Sequence, residues 1–290
     1  MNLFLKKILL VVGISISVFA VLFISSCSLV RSDSKYLIEK HIDTIILGHS
    51  HAACAYDDTL LENVENLAAG GESYFYTYLK LKALLQSKNQ IKRIILECSN
   101  NQFSKSMEKW TFKEPKVYWH FPKFSAWADK LEHQILLKKN PRQYPELLLK
   151  SLKRNMKYIF SKSGIPKSWG GYKPIEKNIN LEMLKHKKHK PRSKKLHETS
   201  LAYFKKIMEL CEEFKIELIL IRTPIHFSSN VLDNETEYQE FRKGLTNYQF
   251  IDFQNSKLVS DSIFSNQQHL NTKGAKIFTL ELKNKIKNLE

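Results

Sequence analysis

The chain predicts a three-layer α/β sandwich: about five parallel strands between two sets of helices, plus a long basic helical insertion. Three observations predict it. Short apolar runs such as Ile45-Ile46-Leu47 and Ile94-Ile95-Leu96 are too brief for helices, and they lack the polar alternation of a strand with one wet face. Between them lies a segment with helical spacing, in which Phe75, Tyr78, Leu79, Leu81, Leu84 and Leu85 share a face. Strand and helix signals then alternate along both flanks of the chain, as a parallel sheet covered on both sides requires.

The 290 residues suffice for one domain with an insertion. Residues 1–27 form a different kind of segment. Lys6 and Lys7 precede an uncharged run, Ile8 to Ser26, which reads as an export signal or a membrane anchor. The lysines stay cytoplasmic and the remainder faces outward. Ile24-Ser25-Ser26-Cys27 is similar to a bacterial lipobox, which makes Cys27 a candidate lipidation site. The alternative is a single spanning helix, because 19 residues approach the ~20 that a bilayer needs. Either way the folded part, residues 35–290, lies in the bacterial cell envelope, outside the cytoplasm and tethered to a membrane.

The order of elements follows from the same signals. Ser34 to His41 is a tether or a short helix, and Asp43 to Leu47 the first strand. The serine-bearing loop follows, with a helix from Asp58. Val64 to Leu67 is the second strand, Glu72 to Gln86 a helix, and Lys92 to Glu97 the third strand. After an interruption come a helix at Leu201–Phe214, a strand at Glu217–Arg222, a helix at Tyr238–Leu245, a strand at Gln249–Phe253 and a closing helix at Thr272–Leu289. Glu72, near a helix N-terminus, favours the macrodipole and needs no further role. Cys54, Cys98 and Cys211 suit no metal pattern and read as buried free thiols.

The interruption, residues 105–197, holds all four tryptophans and 24 Lys and Arg against 7 Asp and Glu. That difference equals the +17 of the whole chain, so the basicity is local. Leu131 to Phe160 is expected to be helical, with breaks near Asn140-Pro141 and at Pro145. Lys185 to Lys195 is expected to be an exposed charged loop.

Chemistry concentrates around Ser50. It follows the first strand through Gly48, so it stands at the carboxyl edge of the sheet, where ligands bind in open α/β folds. A serine needs a base and oxyanion donors to act as a nucleophile. His269, between the last strand and the last helix, lies at the same edge and is the candidate base. His49 and His51 flank Ser50 and are expected to shape its loop. His51 and His226, which follows the fourth strand, are also candidates for binding substrate.

This pattern resembles the SGNH (GDSL-like) hydrolase superfamily, and in particular its membrane-tethered bacterial esterase and O-acyltransferase-like members. Gly48-His49-Ser50 matches the first block of that family. Gly71 in Ala69-Gly70-Gly71 matches the oxyanion glycine. Asn100 in Cys98-Ser99-Asn100-Asn101 matches the oxyanion asparagine, and His269-Leu270-Asn271 with Gly274-Ala275 matches the last block. The resemblance covers 43–101 and 201–289 and implies a flavodoxin-like sandwich. It also implies an acyl-serine intermediate, with Ser50 as nucleophile and His269 as base. The backbone N–H groups of Ser50 and Gly71, with the Asn100 side chain, would form the oxyanion hole. No metal or organic cofactor is called for. Two departures bear on activity. Asn266 replaces the aspartate that orients the histidine, an exchange that costs about 10⁴ in turnover in serine proteases. Cys98 replaces a glycine. Asp261 is a candidate substitute carboxylate, although its spacing differs.

What the resemblance implies for the partner is an acylated or anionic cell-surface glycan. Tryptophan faces stack on sugars, and lysine or arginine binds carboxylates and phosphates. The same basic surface suits anionic lipid headgroups. The export segment argues against nucleic acid, the other habitual partner of a basic patch, and none is expected. A catalytically weak or inactive protein of the same fold, binding glycan or membrane through the insertion, is the alternative.

Overall fold

A computed structural model describes residues 3–32, 37–87, 89–161, 165–182 and 193–287. Strands β1 (Thr44–Leu47), β2 (Val64–Asn66), β3 (Arg93–Glu97), β4 (Glu217–Arg222) and β5 (Gln249–Asp252) form one sheet in the order β2-β1-β3-β4-β5. Every pairing is parallel, with Leu47 opposite Leu96 and Leu96 opposite Leu220. The helices in chain order are α1 (Leu3–Ser32), α2 (Ser50–Ala55), α3 (Tyr74–Gln86), α4 (Met107–Phe112) and α5 (Lys116–Phe124). They continue as α6 (Lys130–Lys139), α7 (Tyr144–Ile159), α8 (Glu198–Glu213), α9 (Glu235–Lys243) and α10 (Thr272–Lys287).

The unbroken apolar runs arise because both faces of the sheet are covered. Side chains alternate between faces, so Ile45, Leu47, Ile94, Leu96 and Leu220 enter one core with α3 and α8. Ile46, Ile95, Ile219, Ile221 and Ile251 enter the other core with α2 and α10. The expected α/β sandwich with five parallel strands is the observed architecture. The strand order reverses between β1 and β3, which opens a crevice at their carboxyl ends.

Local departures have local reasons. The serine loop coils into α2 at once, and only a 3₁₀ turn forms at Asp58–Leu60. Asn140-Pro141 separates α6 from α7 as expected, but Pro145 sits in the first turn of α7, where a missing N–H costs nothing. Glu72 is not a solvated helix-end charge. It is fully buried, and Lys80 Nζ lies 2.7 Å from its Oε2 and donates to the Leu67 carbonyl at 2.6 Å. The described part of the tether, from residue 37, is irregular rather than helical. Of the charge run, 185–192 lie outside the described residues, and 193–195 are exposed. Cys54, Cys98 and Cys211 are buried free thiols.

The insertion shares the first core. Phe112, Val117, Phe121, Phe124, Leu136 and Leu147 join the α3 side of the sheet. Two of its tryptophans, Trp127 and Trp169, are buried edge to face at 5.8 Å and offer no surface to a ligand. Trp110 and Trp119 remain partly exposed, at 37% and 50%. Their rings hold Lys116 Nζ at 4.2 and 3.9 Å.

Helix α1 is exposed along its apolar length, with a mean hydropathy of 2.8 over 18 residues. It is long and apolar enough to span a membrane or to serve as a signal sequence. Its last turns dock on the insertion. Asn155 Nδ2 donates to Ser26 Oγ at 3.2 Å and lies 3.3 Å from Cys27 Sγ, and Arg31 donates to the carbonyls of Ala126 and Ala128. Cys27 is therefore enclosed within a continuous helix, so lipidation there requires these turns to undock.

Candidate active site

Ser50 opens α2 just past the carboxyl end of β1 and is partly exposed. Gly48 makes the turn with φ +149°, and a Cβ there would come within 2.5 Å of Glu97 Cβ. Only glycine lets the serine loop lie this close to the end of β3.

His269 reaches Ser50 from the far edge of the sheet. The loop after β5 closes on itself through Ser265 N, which donates to the His269 carbonyl at 2.9 Å. Helix α10 then crosses back over α2, where Thr279 Oγ1 bonds the Ala55 carbonyl and accepts from Asp57 N. His269 Nε2 lies 2.8 Å from Ser50 Oγ. On the other side of the ring, Nδ1 lies 3.1 Å from Asn266 Oδ1. That oxygen also accepts from the backbone N–H groups of Gln268 and His269 at 2.9 and 3.1 Å. Two backbone donors identify the atom as the amide oxygen, so Nδ1 must carry the ring hydrogen. Nε2 is then a bare acceptor aimed at the serine hydroxyl, the arrangement that a general base requires. Burial, and secondarily the nearby His49, push the His269 pKa down to about 4. The ring is neutral across the physiological range and a weak base. Asn266 orients it but adds no charge.

Beneath the serine, three side chains converge. Glu97 ends β3 fully buried, with His49 Nδ1 3.1 Å from its Oε2 and His51 Nδ1 3.9 Å from its Oε1. The His51 ring stands 4.1 Å from that of His49 and 5.5 Å, edge-on, from that of His269. His51 is 1% exposed and lies behind the His269 ring, so it does not face a substrate as the sequence suggested.

Three more sequence-derived assignments change. Asn100 is fully buried, and its amide donates to Glu235 Oε2 at 2.7 Å and Asn234 Oδ1 at 3.3 Å. Both amide hydrogens are committed, which removes it as an oxyanion donor. Its carbonyl oxygen accepts from Arg222 at 2.7 Å. The neighbouring Asn101 is the residue whose amide reaches the serine loop, 3.0 Å from His49 Nε2. His226 is buried with its ring nitrogens against Ser228 Oγ at 2.7 Å and Asp261 Oδ1 at 3.1 Å. It is a structural histidine rather than a substrate contact, and Asp261 serves it and not His269. Gly71 has φ +71° on a loop that Ala69 N ties to the Gly48 carbonyl at 3.0 Å. A Cβ on Gly71 would meet the Trp110 ring at 2.4 Å, so the insertion covers this glycine directly.

A strap formed by the end of the insertion binds the site loops together, and sequence reasoning missed it. Gly171 N donates to the Ala68 carbonyl, and Lys173 N to the Ala53 carbonyl at 2.7 Å. Further on, Thr272 N donates to the Ile175 carbonyl and Ile179 N to the Phe264 carbonyl, both at 2.9 Å. One extended segment thus touches the glycine loop, α2 and the His269 loop. Gly170-Gly171 was its signal in the sequence. A Cβ at Gly170 would lie 2.1 Å from the Leu67 carbonyl oxygen.

A family model without a functional description matches residues 173–290. The match begins inside the strap and runs through His269 and α10. No curated protein matches the chain.

Proposed function

We propose that the protein is a membrane-tethered serine esterase or O-acyltransferase of the SGNH type, acting outside the cytoplasm on acylated cell-surface glycan. The observation that carries this reading is the 2.8 Å contact between Ser50 Oγ and His269 Nε2, with the tautomer set by Asn266. In the proposed reaction Ser50 attacks the ester carbonyl while Nε2 takes its proton. The backbone N–H groups of Ser50 and Gly71 hold the oxyanion, and the imidazolium returns the proton to the leaving alkoxide. Water or a sugar hydroxyl then releases the acyl group from Ser50 by the same steps in reverse.

Support for an envelope location comes from α1 and from its docking. The insertion grips the last turns of α1, which brings basic helices close to where an anchor would leave the bilayer. Anionic headgroups or lipid-linked glycan are the partners that suit this surface.

The neutral Asn266 favours a second reading, in which the fold binds glycan and turns over slowly or not at all. Labelling of the detergent-solubilised full chain by a fluorophosphonate separates the two. The first reading expects wild-type labelling that is abolished by Ser50→Ala and strongly slowed by His269→Ala. A folded wild type that stays unlabelled would overturn it.

A further inference from the structure

We propose that His49, His51 and Glu97 form a binding site for one divalent transition-metal ion, with zinc the best fit to the donor set. Two imidazoles and a carboxylate are a recurrent protein set for zinc. The three residues are at most 1% exposed, and one ligand atom from each lies within 4.8 Å of the others. Donors about 2.1 Å from a shared ion stand about 3–4 Å apart. His49 Nδ1 stands 3.1 Å from Glu97 Oε2 and His51 Nδ1 3.9 Å from Oε1, spacings that suit a carboxylate offering both oxygens to the ion.

The carboxylate argues for a cation. Among the described residues, neither oxygen of Glu97 accepts a hydrogen bond. His49 Nδ1 is at hydrogen-bond distance from Oε2 but not in hydrogen-bond alignment. Arg222, which follows Ile221, the register partner of Glu97 on β4, is committed to Glu235 and Asn100. A buried carboxylate in this state needs a counter-charge held off the N–H line, and an ion between the three donors supplies it.

Asn101 completes the outer sphere. Metal-bound histidines direct their second nitrogen to a fixed polar partner. With Nδ1 of His49 on the ion, Nε2 carries the hydrogen and donates to the Asn101 amide oxygen. The 3.0 Å contact accommodates this with the amide turned over. The weak 3.4 Å bond from His51 N to His49 Nδ1 is the contact that gives way. The ligands are the residues either side of Ser50 and the end of β3, so the ion would rivet the serine loop to the sheet. It takes no part in proton transfer between Ser50 and His269.

The test does not depend on esterase activity. The full-length chain in detergent is stripped with a chelator, and Zn²⁺ is titrated against a chromophoric competitor. One saturable equivalent is expected, and it should survive in Ser50→Ala. Glu97→Gln should weaken binding beyond the about 10–100-fold that an outer-sphere loss causes, and Asn101→Ala should fall inside that range. Absent binding in wild type, or undiminished binding in a folded Glu97→Gln, would overturn the site. Should that variant fail to fold, Co²⁺ loaded into wild type decides. Visible bands without a thiolate charge-transfer band fit two imidazoles and a carboxylate, whereas a thiolate band would move the ion to a cysteine and sink the proposal.

Discussion

Asn266→Asp is the perturbation that separates a fold built for catalysis from one that has lost it. The substitution places a carboxylate where Asn266 Oδ1 now stands, 3.1 Å from His269 Nδ1. Burial holds that histidine at about 4. Returning it to its ordinary value of about 6.5 would stabilise the imidazolium by about 3 kcal/mol. Coulomb's law makes this attainable, since a pair about 4 Å apart gains about 4 kcal/mol at an effective dielectric of 20. Asn266 is exposed, and solvent on that side removes part of the gain. The expected rise in turnover is therefore about 10–100-fold. It is read at pH 8 with p-nitrophenyl acetate on the full chain in detergent.

The pH profile carries the sign. His269 accepts a proton only while neutral, so wild-type turnover should fall as pH drops through about 4. In Asn266→Asp the acid limb should move up to about pH 6–7, because the new carboxylate favours the charged ring. The variant should then be faster at pH 8 and gain less, or lose, at pH 5. If Asn266→Asp is folded and labelled by fluorophosphonate, yet no faster at pH 8 and with its acid limb unmoved, the proposed role of Asn266 is wrong.

Two stability predictions test the framework around the site. Arg222 is fully buried between Glu235, Asn100 and the Tyr238 ring, so Arg222→Met should cost about 3–5 kcal/mol in denaturant unfolding. Adding Glu235→Gln should recover part of it by removing one of the two carboxylates left beside the site, the other being Asp252, 3.6 Å from Arg222 Nη1. Burial, followed by Asp58 and Glu39, raises Glu65 on β2 to about 7. A carboxyl with a folded pKa above its unfolded value stabilises the fold fully below about pH 4.3 and loses that contribution as pH rises through 7. Thermal unfolding of wild type should therefore weaken between pH 5 and 8, and Glu65→Gln should flatten that slope.

The sheet was legible because its signal is local. Ile45-Ile46-Leu47 is apolar throughout, since one core takes Ile45 and Leu47 and the other takes Ile46, and no partner need be known to read it. Ser50 and His269 were legible because Ser50 sits just past β1 and His269 lies in the connection from β5 to the closing helix, and such connections meet at the carboxyl edge of a parallel sheet. What failed was decided across long sequence separations. Asn100 and Asn101 are equivalent as a sequence pair. Arg222, Asn234 and Glu235, all more than a hundred residues away, claim the first and leave the second for His49.

Glu97 shows the same limit from the other side. In sequence it is the polar last residue of an apolar strand, a position where solvent is the ordinary expectation. It is buried because Gly48 has no side chain, and it meets two histidines that read as loop residues 46 and 48 positions earlier. The glycine identified as a bare turn residue is thus also the vacancy that admits a carboxylate beneath the serine. Sequence reasoning found a neutral Asn266 where the family has a carboxylate and offered Asp261 in its place. The structure sets a carboxylate beneath the serine loop instead, against His49 and His51.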